Sequence, residues 1–390
     1  MLEEPRDEAF EEESQQEDEE DLGVTAEDFD DLLVAPSDWT VGSLHQQIGG
    51  QIDLDPEFQR RSVWNNKSKS AFIESIFLNI PIPQILLAAR KNKRNSYIVL
   101  DGKQRLLTIK QFIDGRFENG RPFRLFGLRV LEELNGKTWK NIEDDGDWRD
   151  RFLNTTQRTT VLRGYRSESA LYEIFYRLNS GSVKLSPMEL RMSLYPGPFL
   201  KFIIGWTETI RPVHALLNLS RPDKRMADVE LTARHLAFHD PRITYAGNLK
   251  KFIDDVCVDY NEKFQDPDFQ EALNGNLDTF DLAVDAAIRI FGQKHVCRKW
   301  KDGKYDRLFN RAVFDVIVGS LSSVTAREWA LENAEVFEQA YIDLSTNDAK
   351  FVNSVETTTK SIDATRYRFT MWYDKFYEVS GIKLTLPNIV

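Results

Sequence analysis

Residues 96–115, SYIVLDGKQRLLTIKQFIDG, constrain the fold more than any other stretch of the chain. SYIVL is the short apolar run of a buried strand. Leu106, Leu107, Ile109, Phe112 and Ile113 then recur at helical spacing, and the run stops near Gly115. A strand that passes into a helix without a linker belongs in a layered α and β domain. At the joint stand five residues, DGKQR, that no core requires.

Their chemistry suits an anion. A helix amino terminus presents backbone N–H groups and the positive end of the dipole. Gly102 permits a tight turn, Lys103 and Arg105 add positive charge, and a guanidinium grips phosphate through two bonds. Gln104 can orient a water or read a base or sugar, and Asp101 can hold Mg²⁺ or fix the arginine. The same five residues also fit a solvated turn in which Asp101 pairs with Arg105, and local spacing does not choose between the two.

The rest of the text sets the joint in an α+β domain over residues 39–198. Phe72, Ile73, Ile76 and Phe77 share one face of a helix in SKSAFIESIF, followed by a proline-bounded turn and the apolar strand of PQILLAA. Residues 116–165 read as short strands and loops. A helix is expected over SESALYEIFYRL, and Ser186, Pro187 and Glu189 spell a capping box that starts another. Beyond residue 198 helical periodicities dominate, so residues 199–390 are expected to form an all-helical domain.

Charge is distributed unevenly. Of the net −11, −16 lies in residues 1–38, which hold 17 Asp and Glu against Arg6, so the remaining chain carries +5. Residues 1–38 read as a disordered acidic tail, too charged and too poor in apolar residues to offset ordering entropy. It serves either as a solubilising tail or as a nucleic-acid mimic competing for a basic surface. No apolar run reaches membrane-spanning length and the amino terminus is acidic, so the expected location is the cytoplasm, with no membrane partner. Cys257 and Cys297 lack metal or disulfide spacing and read as reduced, buried thiols.

Two further polar clusters sit among apolar residues: Gln59, Arg60 and Trp64 in DPEFQRRSVWN, and Arg177, Asn179 and Arg191 in FYRLNSGSVKLSPMELR. The succession PEFQRRSVW, IESIFLNIPIPQILL, YIVLDGKQRLLTIKQF and IFYRLNSGSVKLSPMELR resembles the ParB-related family that supplies the amino-terminal half of GmrSD-type restriction enzymes, whose signature is a strand followed by DGQQR. The resemblance covers residues 40–200, with weaker likeness in RMADVELTARHLAFH and FNRAVFDVIV. It implies a ParB/sulfiredoxin-like fold that binds nucleotide phosphates and in some members hydrolyses NTP. On that basis Asp101, Gln104 and Arg105 are the expected catalytic residues. Gln59, Arg60, Gly102, Lys103, Arg177 and Asn179 are expected to bind the nucleotide.

Lys103 departs from the family pattern, which has glutamine there. A histidine-rich nuclease domain is not expected, because the chain has five histidines. His235 and His239 share a helix face but lack the glutamate of HExxH, and read as packing or surface residues. No P-loop, no GxGxxG and no sulfiredoxin-type cysteine is present. Three readings follow: a Mg²⁺-dependent NTPase of a restriction or phage-defence system; a non-hydrolysing nucleotide or DNA sensor; and a nickase or DNA adaptor using RKNKR at 90–94 and RKWKDGK at 298–304. A homodimer or a separate effector or nuclease is the expected protein partner.

Overall fold

The computed structural model describes residues 24–54, 64–91, 93–117, 119–178, 186–356 and 361–390. The described residues between 24 and 178 pack as one unit and those between 186 and 390 as a second, so the division falls before Pro198. The amino-terminal unit runs β1 (Leu33–Thr40), α1 (Val41–Gln47), α2 (Asn66–Phe77), β2 (Ile85–Ala89), β3 (Tyr97–Asp101), α3 (Lys103–Ile113), α4 (Trp139–Glu143), α5 (Gly146–Asn154), β4 (Thr156–Arg163) and α6 (Glu168–Leu178).

Its four strands take the order β1-β4-β2-β3. β2 runs parallel to β4, and the two outer pairings are antiparallel. Alternation sends Ile85, Leu87, Tyr97 and Val99 into one cluster with Phe72, Ile73, Ile76 and Phe77 of α2 and Leu106, Ile109 and Phe112 of α3. Each fully buried side chain of this size contributes about 1.5–3 kcal/mol of transfer free energy. Asn65 caps α2 by accepting from the Ser68 N–H at 2.9 Å.

The strand directions sort the connections onto two ends of the sheet. At one end lie the finishes of β2 and β4 with the starts of β1 and β3, since Ala89 faces Tyr97 and Leu33 faces Arg163. At the other lie the starts of β2 and β4 and the finish of β3, which carries DGKQR.

Among the described residues the second unit is helical apart from one hairpin: α7 (Pro187–Leu194), α8 (Pro198–Thr207), α9 (Pro212–Leu216), α10 (Ala227–His239), α11 (Leu249–Lys263), α12 (Pro267–Phe291), β5 (Arg298–Lys301), β6 (Lys304–Phe309), α13 (Arg311–Leu321), α14 (Val324–Glu332), α15 (Ala334–Asn347), α16 (Ala349–Glu356) and α17 (Ile362–Ser380). The capping box expected at α7 is present. Among the described residues no helix is long and apolar enough to cross a membrane.

Three expectations are corrected. The tail does not reach residue 38, because a 3-10 turn (Ala26–Phe29) and all of β1 belong to the sheet unit. Residues 116–165 hold two helices: Asp145 caps α5, and Phe152 and Trp139 anchor it and α4 in the core. The basic run near 298–304 is the β5–β6 hairpin, which interrupts an otherwise helical half.

Candidate phosphate site at the DGKQR joint

The motif occupies the strand-to-helix turn expected of it. Asp101 ends β3, Gly102 is the N-cap of α3 with φ 95°, and Lys103 begins the helix. A Cβ on Gly102 would stand 3.0 Å from Ile85 Cγ1 as well as in the left-handed region, so both space and backbone select glycine. Gly102 itself has no side chain with which to cap α3.

The cations are less available than their charge suggests. Arg105 is buried and its side chain is 11% exposed. One guanidinium nitrogen pairs with Asp101 one turn back; another donates to the Pro83 carbonyl and, at 3.1 Å, to the Gln84 carbonyl. Prolines 81 and 83 leave the approach to β2 without ladder partners, and Arg105 satisfies the carbonyls that result. Gln157 Nε2 also donates to the Pro83 oxygen, at 3.0 Å. The Asp101–Arg105 pair of the solvated-turn reading therefore forms, but as an internal bracket joining β3, α3 and the start of β2. Lys103 is buried too. Asp101, whose side chain is 38% exposed, and the half-buried Gln104 are the members of the motif that reach solvent.

Gln104 also meets Trp64. Its Oε1 lies 3.5 Å from the Trp64 N–H, at the end of PEFQRRSVW. Gln59, Arg60 and Asn179 lie outside the described residues. Arg177 is on α6, mostly exposed, and paired with Glu173 of its own helix. Arg191 is fully buried in the second unit, bonded to Asp254 at 2.7 Å and to the Lys250 carbonyl, and serves that core.

Residues 41–196 match the GmrSD restriction endonuclease N-terminal domain family. The match spans the mixed sheet from α1 onward, includes the DGKQR joint, and ends with α7. No curated protein and no solved structure matches the chain.

Within this GmrSD-like segment, a cleft of about 380 Å³ lies at the end of α3 away from DGKQR, against Asp114, Trp139, Lys140 and Glu143. Asp114 there accepts from His45 at 3.0 Å and pairs with Lys110. Burial works against its charge, and these two partners more than offset it, holding the carboxyl below its ordinary value. Sequence reading missed the Pro83 and Gln84 carbonyls, although the two prolines signalled that backbone groups there needed a donor. In the second unit His235 and His239 stack at 4.1 Å, and His235 Nε2 meets Ser322 Oγ at 3.2 Å. Among the described residues no group of three His, Cys, Asp or Glu could hold a metal ion.

Proposed function

We propose that the amino-terminal unit is the nucleotide-phosphate-binding module of a DNA restriction or phage-defence protein, with the phosphates at the amino terminus of α3. The observation that carries the reading is the joint itself within a segment matching the GmrSD family. A buried strand delivers Asp101, the N-cap of α3 is a glycine with no side chain of its own to cap the helix, and Gln104 lies in the first turn.

The roles within the motif follow from exposure. Backbone N–H groups at the start of α3 receive phosphate oxygens, and Gln104 orients the attacking water or reads the nucleotide. Arg105 is a positioning residue: it fixes the Pro83–Gln84 backbone and holds Asp101 in place. Mg²⁺ is proposed as a cofactor that arrives with the nucleotide, because Asp101 is a single carboxylate already holding a guanidinium, and Mg²⁺ commonly relies on substrate phosphates for its other ligands. ParB-like nucleotide chemistry, from the sequence resemblance, supports the same reading.

The test is phosphate release from each of the four NTPs with Mg²⁺, with and without duplex DNA, for the wild type, Gln104→Ala and Arg105→Lys. Hydrolysis lost in Gln104→Ala with the fold intact establishes the NTPase. Nucleotide-dependent thermal stabilisation without release, also lost in Gln104→Ala, establishes the sensor. Absence of both overturns the phosphate site.

A further inference from the structure

The end of the sheet opposite DGKQR gathers positive charge. β2 finishes into Arg90 and Lys91, the turn continues through Lys93 and Arg94, and β4 finishes into Arg163 and, after Gly164, Arg166. The two runs are side by side because β2 and β4 are parallel neighbours. Lys91 Nζ donates to the Arg166 carbonyl at 2.6 Å and lies over the Tyr165 ring. Lys91, Lys93, Arg94, Arg163 and Arg166 are exposed; Arg90 is half-buried and faces Asp53 at 3.9 Å.

The acidic amino-terminal segment enters the fold across this same end. Arg166 pairs with Asp31 at 2.9 Å and Asp30 at 3.7 Å, and its N–H donates to the Asp28 carbonyl at 3.2 Å. Asp28 is held below its ordinary carboxylate value by the Thr25 N–H, by Ser167 and, further down, by Arg166. The seat is also steric: Gly164 has φ 74°, and a Cβ there would overlap the Asp31 carbonyl. Backbone thus approaches backbone where only glycine allows it. Exposed pairs are individually weak, so a polyanion held this way is displaceable.

Upstream of this seat, residues 1–23 carry twelve Asp and Glu against Arg6. The run Glu17–Asp21 lies three to seven residues before Val24, where the described chain begins, so its members reach ~10–25 Å from there, toward a turn that begins beside Arg166. We propose that the acidic segment occupies the basic end formed by Arg90, Lys91, Lys93, Arg94, Arg163 and Arg166, and thereby masks a surface that otherwise binds nucleic-acid phosphates. Its charges stand where a strand's phosphates would lie, and binding of nucleic acid requires their displacement. This holds whether or not the DGKQR joint takes a nucleotide.

The experiment compares full-length wild type with a full-length variant carrying Glu17→Gln, Asp18→Asn, Glu19→Gln, Glu20→Gln and Asp21→Asn, titrated with a fluorescent duplex at low salt. The neutralised chain is expected to bind about tenfold tighter or more, with the gain shrinking as salt rises. Adding Lys93→Gln and Arg94→Gln is expected to cancel the gain. Equal affinity of wild type and neutralised chain overturns the proposal, as does a gain that survives the Lys93 and Arg94 changes. Zero-length carbodiimide cross-linking of the wild type reads occupancy without DNA: cross-links from residues 17–21 to Lys91 or Lys93 are expected, and cross-links to other lysines alone overturn the masking contact.

Discussion

The two units use the same ion pair, aspartate with arginine, in opposite ways. In the sheet unit Asp101 and Arg105 stand at a strand end, the carboxylate reaching solvent and the guanidinium also serving two backbone carbonyls. In the helical unit the pairs lie in the core. α10 presents Glu230 and Arg234 one turn apart, α13 presents Arg311 and Asp315 one turn apart, and the four residues pair rung against rung. Arg234 reaches Asp315 through two bonds at 2.6 and 2.5 Å, Arg311 reaches Glu230 at 3.1 and 3.4 Å, and Arg368 of α17 adds a contact to Asp315 at 3.5 Å. All five are buried. Buried internal pairs fix helix alignment out of reach of solvent, whereas a pair at a strand end with one exposed member can serve a ligand as well as the fold.

The largest effect is expected of Asp315→Ala. It leaves Arg234 and Arg368 buried without their shared carboxylate, and removing one partner of a buried pair costs about 3–5 kcal/mol. Calorimetry should show the transition of the helical unit falling or disappearing. A shift no larger than that of an exposed pair would mean the ladder carries little of the alignment.

Next in size is Gly102→Ala. The left-handed backbone and the approach of Ile85 together should cost about 1–3 kcal/mol. The loss is expected in the sheet unit's denaturation midpoint, with the helical unit unmoved. An unchanged midpoint would show that the turn relaxes and that glycine is there for a ligand.

What the sequence disclosed follows the same division. The strand-to-helix joint was legible because two periodicities meet there without a linker, and the α7 capping box was legible because its residues are adjacent. Arg105's carbonyl partners are more than twenty positions away, at Pro83 and Gln84, and local spacing pointed to phosphate as readily. β1 was hidden because it is mostly exposed and lies in the acidic run; β4 pairing, not apolar alternation, makes it a strand. Arg191 looked like part of a phosphate cluster and proved to be core, since burial is set by partners such as Asp254. The β5–β6 hairpin was signalled and passed over: Asp302 and Gly303, at φ 53° and 76°, are the Asp-Gly pair that a two-residue turn favours.

A smaller effect separates the units by pH. His235 is buried, and desolvation, helped by His239, pushes its pKa well below the ordinary histidine value. The folded state therefore keeps it neutral while the unfolded chain takes up a proton below about pH 6.5. Its stabilising contribution is complete above that pH and declines as the pH falls, by at most ~1.4 kcal/mol per unit. The helical unit should lose stability between neutral and mildly acidic pH, and His235→Phe should flatten that slope. An unchanged slope would assign the dependence to other groups.

The smallest expected stability effect is the most informative about function. Asp101→Asn keeps a hydrogen-bond acceptor for Arg105, whose guanidinium retains the Pro83 and Gln84 carbonyls, so the bracket survives without its charge. The carboxylate is more than a third exposed, and an ion pair so screened contributes about 1 kcal/mol or less. The midpoint of the sheet unit should therefore move little. Under the proposed function the same substitution removes the carboxylate nearest the amino terminus of α3, so Mg²⁺-dependent NTP turnover should fall far more than stability does. Equal small losses in both would return Asp101 and Arg105 to the role that Asp315 and Arg234 play in the helical unit. A large loss of turnover on an intact fold would mark the joint as the place where an aspartate–arginine pair is kept for chemistry.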